Sequence, residues 1–286
     1  MAFVRKAGFG IVLAAATVQP AQAFTLSTGS GEGDFTVGVD LYGAFGSSVN
    51  GADTTDALFN PVGDLPESGT VFESAVGVSF ANIRAFLNSG EMFTGGVAIS
   101  DPTLVAAESV AGQRAVSTFT IPNLAVKLTQ EVGPSVDGGV RVGGALTQTY
   151  RFTNTGDVTT NFDVVRYVDG DLDFDGTIDD GGGRIAVGAN EILFETDAGE
   201  DPSASSAAPP MPAATGTGGT TQPGNRYQVS SFSGLRSNVE SGLPLADTVE
   251  GDIDGDEFID SPFDVTMALR NVFSIAPGAT AVYTTQ

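Results

Sequence analysis

The chain has 286 residues, with 35 acidic side chains against 12 basic ones, a formal net charge of −23, and neither histidine nor cysteine. A field of that sign repels nucleic acid and anionic membrane surfaces. The missing residue types exclude Ser-His-Asp and Cys-His nucleophilic sites, histidine or thiolate zinc sites, haem ligation by either residue, and disulfides.

Taken in chain order, residues 1–23 read as a secretory signal peptide. Arg5 and Lys6 form its positive segment, 8–17 its apolar stretch, and Ala21-Gln22-Ala23 a small-residue cleavage site. The apolar stretch is too short to span a bilayer. The expectation is an exported mature chain from Phe24, without a transmembrane segment, secreted or held at the cell surface. An exported chain without disulfides needs another source of rigidity, and bound calcium supplies one.

From there the periodicity is that of strands. Apolar residues alternate over 35–41, and 146–152 sets Leu146, Tyr150 and Phe152 on one face against Thr147, Thr149 and Arg151. Further strands are predicted at 71–80, 114–121, 124–132, 162–168, 191–195, 227–232 and 279–285. Residues 263–270 repeat the alternation, with Phe263, Val265, Met267 and Leu269 facing inward. Asp137-Gly138-Gly139 and Asn154 to Asp157 supply turns of hairpin chemistry. Short helices are expected at 81–89 and at 101–110, where Pro102 sits in the first turn. The fold class that follows is all-β: a large antiparallel β-sandwich, jelly-roll or supersandwich-like, with few short helices. Lys127, flanked by alternating apolar residues, is expected to face solvent.

Residues 197–224 are rich in Ala, Pro, Ser, Gly and Thr and offer little to bury. They read as a loop inserted into one sandwich domain spanning 24–286, because the 62 residues after it make a marginal core alone.

Two aspartate-rich stretches carry the chemistry. In the first, Asp171, Asp173 and Asp175 take positions one, three and five of an EF-hand-like calcium loop. Gly176 takes the bend, the Thr177 carbonyl position seven and Asp179 position nine. Gly182 stands where the bidentate glutamate belongs, so Asp180 or a carboxylate from elsewhere has to complete the shell, and Asp169 lies just outside. Strand-like flanks mark a loop at a strand end rather than a helix–loop–helix sensor. In the second stretch Asp252, Asp254, Asp256 and Asp260 fit positions one, three, five and nine, with Gly255 displaced and Glu257 at the bend. Both loops have the spacing to gather hard oxygen ligands around Ca²⁺, and they are free to share one end of the sandwich.

Four runs, 146–156 (LTQTYRFTNTG), 164–176 (VVRYVDGDLDFDG), 224–234 (GNRYQVSSFSG) and 260–270 (DSPFDVTMALR), resemble exported bacterial β-rich proteins of the PEP-CTERM-associated type. The resemblance implies a surface-associated protein with no assigned activity. The sorting signal itself is missing, so the chain reads either as a fragment or as secreted without an anchor. The leading expectation is a calcium-stabilised sandwich with a structural, matrix or adhesive role at the bacterial surface, its partners calcium and extracellular polysaccharide or cell-surface proteins. The alternative is a carbohydrate-active enzyme or carbohydrate-binding accessory module, which needs an aromatic-lined concave face beside two carboxylates. A dockerin-type module would need a helix after each loop, and the strand pattern after Asp260 argues against it.

Overall fold

The computed structural model describes residues 23–49, 55–63, 65–80, 83–88, 99–100, 102–108, 113–172, 174, 176–188, 190–197, 212–219 and 224–286. The early strands are β1 (Phe24–Ser27), β2 (Phe35–Val39), β3 (Ala57–Phe59), β4 (Ser68–Gly69), β5 (Val71–Phe80), β6 (Ile83–Leu87) and β7 (Thr103–Glu108). The middle of the chain forms β8 (Arg114–Ile121), β9 (Leu124–Asp137), β10 (Val140–Asn154), β11 (Thr160–Gly170), β12 (Gly181–Val187) and β13 (Asn190–Thr196). Then come β14 (Ala213–Thr217), β15 (Tyr227–Ser231), helix α1 (Phe232–Ser241), β16 (Thr248–Val249), β17 (Val265–Ile275) and β18 (Thr280–Thr285).

An eight-stranded sheet in the order β12-β13-β14-β18-β10-β9-β8-β7 faces a six-stranded sheet in the order β16-β15-β17-β11-β5-β6. Their pairings are antiparallel except β15 with β16, so the architecture is the expected all-β sandwich. Between the sheets lie Leu124, Val126 and Leu128 of β9, Tyr150 and Phe152 of β10, Phe162 and Val164 of β11, and Phe273 of β17. Phe162 stacks on Phe273 at 5.2 Å and meets Phe152 edge-on at 5.2 Å, geometries that aromatic rings prefer. A small sheet, β1-β2-β3-β4, closes one end; its Leu26, Val37 and Val39 join a core with Leu146, Val168, Val265 and Met267.

The alternation read from 146–152 and 263–270 holds: Tyr150, Phe152, Val265 and Met267 are all buried. The Gly138-Gly139 turn does join a hairpin, β9 to β10, with fourteen paired positions. Asn154 to Asp157 does something else. It carries the chain from β10 in one sheet to β11 in the other, so it is an arch between layers. The Asn154 amide holds that arch, donating to the Val158 and Ile275 carbonyls at 2.7 and 2.9 Å.

Both predicted helices are corrected. Within 81–89 the described residues form β6, paired antiparallel with β5, and within 101–110 they form β7, paired with β8. Edge pairing to a neighbouring strand outweighs the weak helix propensity of these short runs. The helix that does form, α1, lies within 225–286, where strands alone were expected. It buries Leu235 and Val239, one turn apart, against Ala75, Tyr167 and Ala268 on the outer face of the six-stranded sheet. Gly242 ends it in the left-handed conformation (φ 74°), and the Leu243 amide returns to the Asn238 carbonyl at 2.9 Å, a Schellman stop.

Part of the low-complexity stretch is ordered as β14, which bridges β13 and β18; residues 198–211 and 220–223 lie outside the described residues. Strands on either side of this stretch share sheets, since β17 pairs with β11 and β18 with β10. Residues 1–22, which hold nearly all of the signal-peptide reading, are outside the described residues too.

Candidate metal centre

The second aspartate loop runs between β16 and β17. The Asp252 carboxylate accepts the amides of Gly255 (2.7 Å), Asp256 (3.2 Å) and Glu257 (3.1 Å), which folds the chain round it. Asp260 accepts the Ile253 amide at 2.5 Å, and Asp254 that of Asp256 at 3.2 Å. Asp252, Asp254 and Asp260 thereby bring carboxylate oxygens within 4.8 Å of one another. Three converging carboxylates repel unless a cation lies between them. Asp256 is not in this group; its carboxylate is taken by the Phe258 amide at 3.0 Å.

Glu257, at the bend, has φ 74°, the left-handed conformation that a calcium loop requires at its sixth position and usually gives to glycine. A side chain there costs about 1–2 kcal/mol. The contacts of Glu257 offset that cost. Its carboxylate meets Arg184 of β12 at 3.0 Å and the Tyr227 hydroxyl of β15 at 3.3 Å. Arg184 also pairs with Glu191 at 2.6 Å and lies 4.4 Å over the Tyr227 ring. Those contacts, led by the Glu191 hydrogen bond, push the Arg184 pKa up. The loop is also tied to β12 by backbone: the Arg184 amide donates to Glu257 (3.0 Å) and the Ile259 amide to Gly182 (2.9 Å).

The first loop links β11 to β12, so both loops do sit against the same strand. Gly176 has φ 88°, matching the bend position, and Thr177 and Asp179 are exposed around it. Leu172, fully buried, pins the loop's root, and the Phe174 amide donates to Asp197 at 2.8 Å. Asp173 and Asp175 lie outside the described residues. Asp180 pairs in both directions with Phe263, just before β17 (2.8 and 3.1 Å).

This pairing gathers carboxylates from distant parts of the sequence. Asp169 sits opposite Glu73 of β5 and Thr266 of β17, whose hydroxyl donates to it at 2.9 Å. Burial, with the charges of Asp264, Glu73 and Asp171, pushes the Asp169 pKa up to about 9 despite the Thr266 bond. Burial raises Asp264 likewise, helped by Asp171 and Asp179. Arg236 of α1 answers Glu73 at 2.5 Å. Glu195 of β13 is wholly buried, and burial together with the adjoining Asp180 carboxyl holds its pKa well above the usual range.

Glu195, Asp264 and Glu73 were not singled out from sequence. The only signal for Glu195 was an acid closing an apolar strand (Ile192-Leu-Phe-Glu195), and Asp264 lay in a run read for its inward residues.

Away from these loops, the outer face of the eight-stranded sheet has a groove of about 450 Å³ lined by Thr118, Lys127, Arg151, Thr153 and Thr280 among others. Lys127 faces solvent as expected, directly opposite Arg151. The lining offers cations and hydroxyls, not the carboxylate pair the glycosidase alternative calls for.

No described helix is long and apolar enough to cross a membrane. No protein-family model matches the chain, and no curated protein matches it either. Among solved structures, one similar in shape is that of a protein from the human microbiome assigned as a kojibiose phosphorylase. It superposes with a TM-score of 0.40 and 9% identity, over 86% of this chain and 29% of that one. The chain thus spans less than a third of that protein's length.

Proposed function

We propose that this is a secreted, calcium-stabilised β-sandwich with a structural, matrix or adhesive role at the bacterial cell surface, akin to exported proteins of the PEP-CTERM-associated type. The observation that carries the calcium reading is the convergence of Asp252, Asp254 and Asp260 within 4.8 Å on a loop whose bend has the left-handed turn of a calcium loop. All the donors are hard oxygens, which suit calcium over softer-ligand metals. The export reading rests on residues 1–23, and the surface role on the resemblance and the acidic composition. Outside a cell, calcium at millimolar levels fills even sites of modest affinity.

In this reading the ion replaces a disulfide. It holds the chain between β16 and β17 against β12, where the two sheets meet, and neutralises carboxylates that otherwise repel. Calorimetric titration of calcium into chelator-stripped protein tests it. Binding should be measurable in the wild type and at least about tenfold weaker in Asp252→Asn, which removes a ligand charge. No heat of binding in the wild type would refute the reading.

A further inference from the structure

One arginine lies between the large sheets with no charge to answer it. Arg166 of β11 is 4% exposed and shares the inward face of Phe162 and Val164. Its neighbours across the ladder, Val76 of β5 and Leu269 of β17, are both apolar. The guanidinium lies 4.9 Å from the centre of the Phe45 ring, and its Nη1 has no hydrogen-bond partner. Among the described residues no carboxylate pairs with it; the titratable groups that face it are Tyr150 and Tyr283 of the opposite sheet. Asp40, whose charge reaches Tyr150, is committed to its own turn, where Oδ1 accepts the amides of Tyr42, Gly43 and Ala44 at 2.9, 2.7 and 2.8 Å.

The facing sheet brings further unsatisfied groups to the same layer. Gln148 and Tyr150 of β10 stand directly opposite Thr285 and Tyr283 of β18, and all four are buried. Tyr150 is engaged, its hydroxyl donating to the Tyr42 carbonyl at 3.1 Å. The Tyr283 and Thr285 hydroxyls have no well-formed hydrogen bond, and neither does Gln148 Oε1. The Gln148 amide nitrogen is fixed in place, donating to Gln130 and to the Gly43 carbonyl at 2.7 Å each. Burial pulls the Arg166 pKa down, yet a guanidinium keeps its proton in proteins. A ring face or a water molecule eases a buried charge without neutralising it, and an unpaired one is strongly unfavourable. The chain's overall negative charge does not bar an anion from this seat, because exposed charges are largely screened beyond about 10 Å at 0.1 M salt.

We infer that the core holds a small monovalent anion of the chloride class, seated on the Arg166 guanidinium and on the hydroxyls of Tyr283 and Thr285. The seat supplies one positive charge and hydrogen-bond donors, which suits a singly charged acceptor. The ion then ties β11 of one sheet to β18 of the other through the middle of the sandwich. This site is separate from the aspartate loops and does not depend on the calcium reading.

The test is thermal unfolding of the full chain with sodium gluconate exchanged for sodium chloride at constant ionic strength and constant calcium. The proteins compared are the wild type, Arg166→Met and Tyr283→Phe. Above its dissociation constant, each tenfold rise in chloride should lift the wild-type midpoint by about 3–6 °C. Arg166→Met removes the charge and keeps an apolar stem of similar reach, so its midpoint should not respond to chloride. Tyr283→Phe keeps the charge and loses one donor, so it should respond only at higher chloride. A wild-type crystal soaked in bromide should show an anomalous peak beside Arg166, which decides the matter even if Arg166→Met does not fold. A wild-type midpoint indifferent to chloride, an equal response in Arg166→Met, or a bromide crystal with only water beside Arg166 would overturn the inference.

Discussion

At the scale of single residues, the acidic end of the sandwich is built from side chains in unfavourable circumstances, each with a neighbour that explains it. Glu257 tolerates a left-handed backbone because Arg184 and Tyr227 hold its carboxylate. Gly170 is glycine because the Glu195 head occupies the space of a side chain. Gly170→Ala should therefore cost about 1–3 kcal/mol by overpacking. The cost should shrink by more than about 0.5 kcal/mol when Glu195→Ala is already present, since the clash partner is gone. Denaturant unfolding of the four proteins of this cycle measures it; equal costs in both backgrounds would mean that Gly170 is required for another reason.

At the scale of elements, β9 and β10 were legible by alternation because one face is buried and the other wetter, whereas β5 and β17, buried on both faces, were legible as apolar runs of strand length. Residues 71–80 and 114–121 coincide with β5 and β8, and the inward residues of β10 and β17 are those the alternation named. Short segments without a clear period were not legible. Residues 83–87 and 103–108 become strands because β5 and β8 offer edges for pairing, a long-range fact that local propensity does not carry. Helix α1 was hidden by its Ser, Asn and Gly content and by a start at Ser231 with no side-chain cap bond. Its trace was Leu235 and Val239 four apart, followed by Gly242. The aspartate loops were legible as ligand spacing, but their setting was not: Glu195 and Asp264 reach the first loop through strand pairing, across tens of residues. The helix depends on its buried stripe, so Leu235→Ala should lower stability by about 2–4 kcal/mol. Calcium affinity at the second loop should stay unchanged, since Leu235 and that loop's Ile259 pack in separate hydrophobic clusters. Chemical denaturation with parallel calorimetry checks both halves.

At the scale of the whole molecule, a strongly acidic chain without disulfides keeps several carboxyls buried at one end, and this makes its stability depend on protons and cations together. Asp169 has its folded pKa raised from 3.8 to about 9, mainly by burial. Between those values the folded state binds more protons than the unfolded one, so stability falls as pH rises. The contribution is whole below pH 3.8 and is gone once pH has passed about 9; Glu195, shifted in the same direction, adds to it. Calcium-free protein should accordingly melt at progressively lower temperature from pH 5 to pH 9. A calcium-free melting temperature that rises over that range would contradict this assignment of the buried acids.

The central claim is that calcium holds the sandwich together, and thermal unfolding of one preparation at pH 7.5, in chelator and in millimolar calcium, tests it most directly. Calcium at a hundred times its dissociation constant stabilises by about 2.7 kcal/mol per site. In a protein of this size each kcal/mol is worth about 2–4 °C. The account predicts a rise of about 5–10 °C for one occupied site, abolished by Asp252→Asn. A midpoint that calcium leaves unmoved would contradict it.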